Sequence, residues 1–383
     1  MRLTNREHTL RIWALGLGYF FFYAPYSGII KAVTSGLLSG GNHVSGFVLL
    51  PSTLIPTALA IPIFITAMRW WKYARVGKVL GITVPLPRWH TFLSGLCFAT
   101  IIATTTLAYT FKGVSIIFAL VLMRGGTLIM GPLIDRGFHR RVRWFSWAGL
   151  ILSLSALFVA FMNVREYQLS LLAILNLAAY LTGYALRLPC MTRIAKNGDK
   201  RLSIGYFVEE QIVAMPTLVL VPSILALVGG GAIMNDLRFG FIHLFSGPFV
   251  LPGLAIGFFY AGLGIFCTFI FLDRRENTFC IPMHSCSSLL AGIAASYILT
   301  WQLHAPAPSG AQIGGTLLII TALLIMSPLH HLPLYIKQIK DAVAERRLVV
   351  LSFARIDAGD LQSPRSVITV NLHAVRQVLA KRS

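Results

Sequence analysis

The chain has 383 residues, of which 56% are hydrophobic and only 12% charged, with a mean hydropathy of +0.73. That composition excludes a soluble globular protein, whose surface needs far more charge. The formal net charge of +20 does not point to nucleic acid, because the basic residues cluster at the ends of apolar stretches as membrane topology requires.

Taken in order, ten apolar stretches predict membrane-spanning helices at about 11–32, 46–68, 91–110, 114–134, 144–163, 168–187, 205–228, 249–272, 278–300 and 310–331. Each is long enough to cross a hydrocarbon core of about 30 Å. The first stretch is too long for a cleavable leader and has no small-residue cleavage site, so it reads as a retained span. The connections alternate in charge. Arg2, Arg6 and Arg11 precede span one, Arg69 to Arg88 follow span two, Arg136 to Arg143 follow span four, Arg187 to Arg201 follow span six, and Arg274 and Arg275 follow span eight. The intervening loops carry only Lys31, Lys112, Arg165 and Arg238. By the positive-inside rule both termini are expected in the cytoplasm. Bare outer loops fit a bacterial inner membrane. Trp70, Trp71, Trp144 and Trp147 stand at the cytoplasmic span ends as an interfacial belt.

Ten spans divide into five and five, and an odd number per half inserts the second half upside down, as an inverted repeat. The expected organisation is a cytoplasmic N-terminus (1–10), a first repeat (11–163), a second repeat (164–332) and a basic cytoplasmic tail (333–383). The fold class is therefore all-α, with ten transmembrane helices in two inverted five-helix repeats. "MRGGTLIMG" from Met123 and "MHSCSSLLAG" from Met283 occupy corresponding spans, so that Arg124 meets His284, Gly125 meets Ser285 and Gly126 meets Cys286. The tail opens on "PLYIKQIKDAVAERRLVVLSFARI", whose apolar spacing and lysines and arginines predict an amphipathic helix on the anionic inner leaflet.

Ten spans, five-span halves and the short links "YTFKGVS" and "LDRRENT" resemble the drug/metabolite transporter superfamily, which includes EamA-type permeases and nucleotide-sugar carriers. The resemblance covers residues 10–332 at the level of topology. It implies a substrate cavity between the halves, opened alternately to each side.

Ionisable residues inside spans are expensive and mark function. Arg124 lies near the middle of span four, where it needs a wet cavity, a carboxylate, carbonyls or an anionic cargo. Gly125 and Gly126 after it admit either close helix packing or approach of substrate to the backbone. Glu209 and Glu210 are adjacent, about 100° apart on a helix, so at least one points inward; either could couple to protons or pair with Arg187 or Arg201. His284 is a lone histidine opposite Arg124 in the repeat. Ser288, Gly292 and Ser296 read as a packing stripe. Asn176, Tyr180 and Tyr184 share one face of span six, which suits a cavity that stacks and hydrogen-bonds an organic solute. Tyr19, Tyr23 and Tyr26 cluster on span one near Pro25, and Lys31 ends that span. Asp135, Asp273 and Glu276 read as boundary residues.

The five cysteines show no metal spacing. There is no Walker A motif, HExxH or GxSxG, so no cofactor and no enzyme class is indicated. The leading expectation is a secondary transporter of a polar or anionic organic metabolite, proton-coupled or exchanging. The alternatives are a flippase for a lipid-linked intermediate, a membrane-embedded enzyme acting on a lipid-linked substrate, and a cation pathway or structural subunit. The expected partners are a small organic substrate and the lipid bilayer, with no nucleic acid; homodimerisation stays open.

Overall fold

The computed structural model describes residues 2–38, 44–79, 82–111, 116–162, 170–196, 199–243, 250–305 and 310–326. The expected amphipathic tail helix lies outside these residues. The chain is an all-α, multi-pass membrane protein. In order its helices are α1 (Arg2–Thr34), α2 (Gly46–Ala67), α3 (Trp89–Ala108), α4 (Ile116–Gly137), α5 (Trp144–Met162), α6 (Leu171–Ala195), α7 (Lys200–Val228), α8 (Ala232–Ile242), α9 (Val250–Phe271), α10 (Asn277–Leu303) and α11 (Gly310–Met326). Seven of these, α2, α3, α4, α6, α7, α9 and α10, are long and apolar enough to cross a membrane, and α5 and α11 contain shorter apolar helices.

Two features depart from the sequence reading. The basic segment after α2 is not a plain loop. It forms a short 3-10 turn (Trp70–Tyr73) and an antiparallel hairpin, β1 (Val76–Val79) with β2 (Ile82–Pro85). Likewise the bare stretch after α7 contains α8, because Gly229, at φ 58°, takes the left-handed conformation that ends α7. The next helix then buries Leu237 and Gly240, and at Gly240 the α2 backbone at Val48 leaves no room for a side chain. The hairpin is held by tertiary contacts rather than by a period of its own.

Helix packing follows a regular scheme. α1 packs on α9 and α10, while α6 packs on α3 and α4. α2 packs on α9, and α3 on α7. α4 crosses α10, α2 meets α7, and α5 lies along α11. Small residues permit the closest of these approaches. A Cβ added at Gly131 of α4 would come within 3.3 Å of the Thr278 backbone on α10.

Polar side chains tie the ends of α4, α5 and α10 together. Asp135, fully buried, accepts from the Asn277 and Thr278 amides at 3.0 and 2.7 Å and from both their side chains at 2.9 and 2.8 Å. It thus satisfies the free N–H groups that open α10. Arg143 donates twice to Glu276, at 2.8 and 3.1 Å, and Ser146 once, at 2.6 Å. Burial alone pushes the Glu276 carboxyl up, but these donors win and hold it below its ordinary value. Arg140 and Lys196 close the ring by donating to the Arg274 and Arg275 carbonyls.

Candidate functional site

The middle of the bundle contains a guanidinium without a carboxylate. Arg124 on α4 is 2% exposed. Its donors go entirely to hydroxyls: Nε to Ser288 at 3.0 Å, Nη1 to Tyr180 at 2.6 Å, and Nη2 to Tyr19 at 3.0 Å and Tyr23 at 3.3 Å. Among the described residues it forms no ion pair with Asp or Glu. The hydroxyls arrive from three helices by helical arithmetic. Tyr19 and Tyr23 stand one turn apart on α1, Tyr180 is on α6, and Ser288 is one turn beyond His284 on α10.

The hydroxyls are themselves positioned. Tyr23 bonds to Tyr109, and Tyr26 to Thr106 at 3.2 Å. The Tyr26 ring packs edge-on against Tyr260 at 4.9 Å, and Tyr180 lies 4.9 Å from Tyr184. The site is thus a packed, largely aromatic cluster in which the positive charge meets only neutral groups.

His284 borders the same cluster. Its Nε2 meets the Cys267 sulfur at 3.3 Å, and its ring lies 4.6 Å from Tyr19 and 4.7 Å from Phe271. Its Nδ1 and the Ser285 hydroxyl are buried and have no partner among the described residues. The Tyr184 hydroxyl reaches Cys267 at 3.9 Å. All five cysteines are free and buried. Among the described residues no group of His, Cys, Asp and Glu has a metal-binding arrangement.

A second buried arginine is treated in the opposite way. Arg187 on α6 makes a two-point pair with Glu210, Nε and Nη2 each at 2.8 Å, and Nη2 also donates to Thr268 at 2.9 Å. Both partners are fully buried, and the guanidinium lies 4.0 Å over the Phe98 ring. Glu210 further accepts from Ser94 at 2.5 Å, whose oxygen accepts from Tyr206. Arg187 Nη1 is left without a partner among the described residues.

Glu209 turns the other way. Its carboxylate accepts from the Arg75 and Arg88 amides, both at 3.2 Å, and from the Thr91 hydroxyl at 2.9 Å. It therefore pins the base of the β1–β2 hairpin and caps α3, a structural task. Arg124 contacts neither glutamate. Asn176 sits one turn from Tyr180 but donates to the Thr104 carbonyl at 2.9 Å, so it binds α6 to α3. The glycine pair does not interrupt α4. A Cβ at Gly126 would strike the Leu181 side chain on α6, so that glycine serves packing, whereas a Cβ at Gly125 would meet only Leu157, at an ordinary 3.8 Å.

The site thus unites Arg124, Tyr180, Tyr184 and His284 of the expected set, and separates Glu209, Glu210, Asn176, Gly125 and Gly126 from Arg124. It adds Tyr19, Tyr23, Ser288 and Cys267, while Arg187 stays apart with Glu210. The Tyr19/Tyr23 and His284/Ser288 spacings were the available signals for the first three. Nothing local marked Cys267, whereas Arg187, one of the two partners expected for the glutamates, is the residue that Glu210 pairs with.

No family model matches the chain, and no curated protein matches it significantly. Among solved structures, 26 chains match. One, described only as the crystal structure of a protein, is 13% identical, covers 85% of this chain and 97% of its own, and has a TM-score of 0.50. That likeness concerns the fold alone.

Proposed function

We propose that the protein is a ten-span secondary carrier of the drug/metabolite type, with cytoplasmic termini, that moves a small organic anion by alternating access. The observation that carries this reading is Arg124: a buried charge whose four partners are all hydroxyls. Burying an ion without a counter-ion costs several kcal/mol in effective terms. An anionic cargo supplies the missing charge in the transport cycle, and the ring of tyrosines holds the guanidinium between cycles.

The packing scheme supports two inverted halves. Exchanging α1 with α6, α2 with α7, α3 with α9, α4 with α10 and α5 with α11 turns most of the larger interhelical contacts into other observed ones, although α5–α10 has no comparable α11–α4 counterpart and α8 lies outside the scheme. The α1–α9 contact becomes α6–α3, α1–α10 becomes α6–α4, and α2–α9 becomes α7–α3, while α4–α10, α2–α7 and α5–α11 map onto themselves. Arg124 and His284 then sit on the central crossing pair, α4 and α10, where rocking of the halves changes access. The Asp135 and Glu276 networks tie the basic ends of those helices and must open on the cytoplasmic side. Glu209 is committed to the hairpin and Glu210 to Arg187, so this reading rests on an anion at Arg124 and not on a carboxylate.

One observation favours an amphipathic, lipid-linked anion as cargo. A cleft of about 540 Å³ between α1 and α10, bordered by Phe21, Gly28, Ala295 and Ile298, is mostly apolar with Gln302 in its wall, and both its helices also contribute to the Arg124 site. Both readings are tested by thermal stabilisation of the purified protein with a panel of soluble phosphates, carboxylates and lipid phosphates, followed by uptake into vesicles. A saturable shift that Arg124→Ala abolishes is expected. Equal shifts with Arg124→Ala refute the site.

A further inference from the structure

A second cavity, of about 460 Å³, lies between α2 and α7 beside the 3-10 turn and the hairpin. Its volume is within the range of small-molecule sites, about 300–1,000 Å³. Its walls are apolar and carry no charged side chain: Ala58 and Pro62 from α2, Ile212 and Pro216 from α7, with Trp71 at one end. One polar side chain joins them, Gln211, whose amide nitrogen and oxygen are both buried and have no partner among the described residues.

The prolines add to this. Pro62 has no N–H to give the Ala58 carbonyl four residues earlier, and Pro216 none to give Ile212. Both carbonyls belong to residues of the cavity wall, so each of the two helices carries there a carbonyl without its usual helical donor. On α2 the neighbours Leu59 and Ile63 are 60% and 66% exposed, as membrane-facing side chains are, so the cavity adjoins the lipid phase.

We propose that this cavity binds a neutral, bilayer-borne amphiphile with a single hydroxyl head. The hydroxyl donates to Gln211 Oε1 or to a proline-freed carbonyl and accepts from the Gln211 amide, while the apolar body occupies the proline-lined walls. A charged head would be desolvated against walls that offer it no counter-charge, and a bare hydrocarbon would leave the Gln211 amide unpaired. The occupant bridges α2 and α7. The inference is independent of what Arg124 binds.

The test uses the full chain in phosphatidylcholine nanodiscs with a photoreactive tetradecanol. Cross-linking is expected in peptides containing residues 58–65 and 211–216, competed by unlabelled tetradecanol. Tetradecane, tetradecyl sulfate and tetradecyltrimethylammonium should compete at least about tenfold less well, as loss of a hydrogen-bonded pair implies. Gln211→Leu should weaken labelling about tenfold, and Ala58→Leu, which fills the cavity from the α2 side, should abolish it. Unfolding midpoints of both variants without ligand serve as the folding control. Equal competition by tetradecane, preference for either charged amphiphile, labelling elsewhere, or undiminished labelling of a folded Gln211→Leu would each overturn the proposal.

Discussion

Replacing Arg124 with methionine separates a binding residue from a structural hub. The guanidinium makes four hydrogen bonds to hydroxyls. At about 1.5–3 kcal/mol for each bond to a charged group, these return about 6–12 kcal/mol against a desolvation cost of several kcal/mol or more. Methionine removes both sides of that balance. Tyr23 keeps its bond to Tyr109 and Ser288 keeps the Ser285 carbonyl at 2.8 Å. Tyr19 and Tyr180 are left seeking partners, at about 1–3 kcal/mol each. Relief of the buried charge offsets most of this, so the folded state should change by no more than about 3 kcal/mol in either direction. Arg187→Met is the control. It strands Glu210, fully buried, and breaking a buried pair in this way costs about 3–5 kcal/mol. The assay is thermal unfolding of both variants in one detergent, with and without the anion identified for the wild-type protein. At a ligand concentration of about 100 Kd the wild-type protein gains about 2.7 kcal/mol, and Arg124→Met should gain none. If Arg124→Met unfolds as readily as Arg187→Met, or still responds to the anion, the reasoning is wrong.

Three further outcomes follow from the geometry. In a double-mutant cycle, Arg187→Met with Glu210→Leu should be less destabilised than either single variant, because the pair leaves together; additive losses measured by unfolding would refute it. Asp135→Ala should lower stability by at least the roughly 0.5–2 kcal/mol of a lost helix cap, with exchange of the Asn277 and Thr278 amides accelerated before the rest of α10. The Glu276 carboxyl is held below its ordinary 4.5, so its contribution is present above that value and disappears as pH falls through the folded value. The midpoint difference between the wild-type protein and Glu276→Gln should therefore shrink towards acid pH. The effect is small, because Arg143 is 44% exposed and screened.

The helices were legible because a hydrocarbon solvent leaves the backbone no other choice: stretches of about twenty apolar residues must be helical, and the basic clusters mark their ends. Arg124 was legible for the same reason, as an ion where ions are costly. Its partners were partly so. The Tyr180 and Tyr184 spacing fixed a face, but nothing in α6 says which helix that face meets. Glu209 was misleading because its three donors, Arg75, Arg88 and Thr91, lie more than a hundred residues away in a segment with no strong pattern. The same segment hid the hairpin, whose four-residue strands are too short for alternation to declare itself. Gly126 carried two meanings that only the position of Leu181 separates.

Under the proposed carrier reading the two buried arginines are not equivalent, and Arg124 rather than Arg187 suits a transient anion. Arg187 already has a carboxylate at two points, and an incoming anion would have to displace Glu210 and leave it buried and unpaired. Arg124 has partners that pair with its charge yet keep alternatives: Tyr23 has Tyr109, and Ser288 has a backbone carbonyl. Hydroxyls both donate and accept, so the same groups that accept from the guanidinium in the empty state can turn and donate to an anion placed on it. A carboxylate accepts only, and would repel that anion. A site that must take up and release cargo in each cycle needs a binding energy that is neither locked internally nor uncompensated when empty, and a guanidinium held by tyrosine and serine hydroxyls meets both conditions.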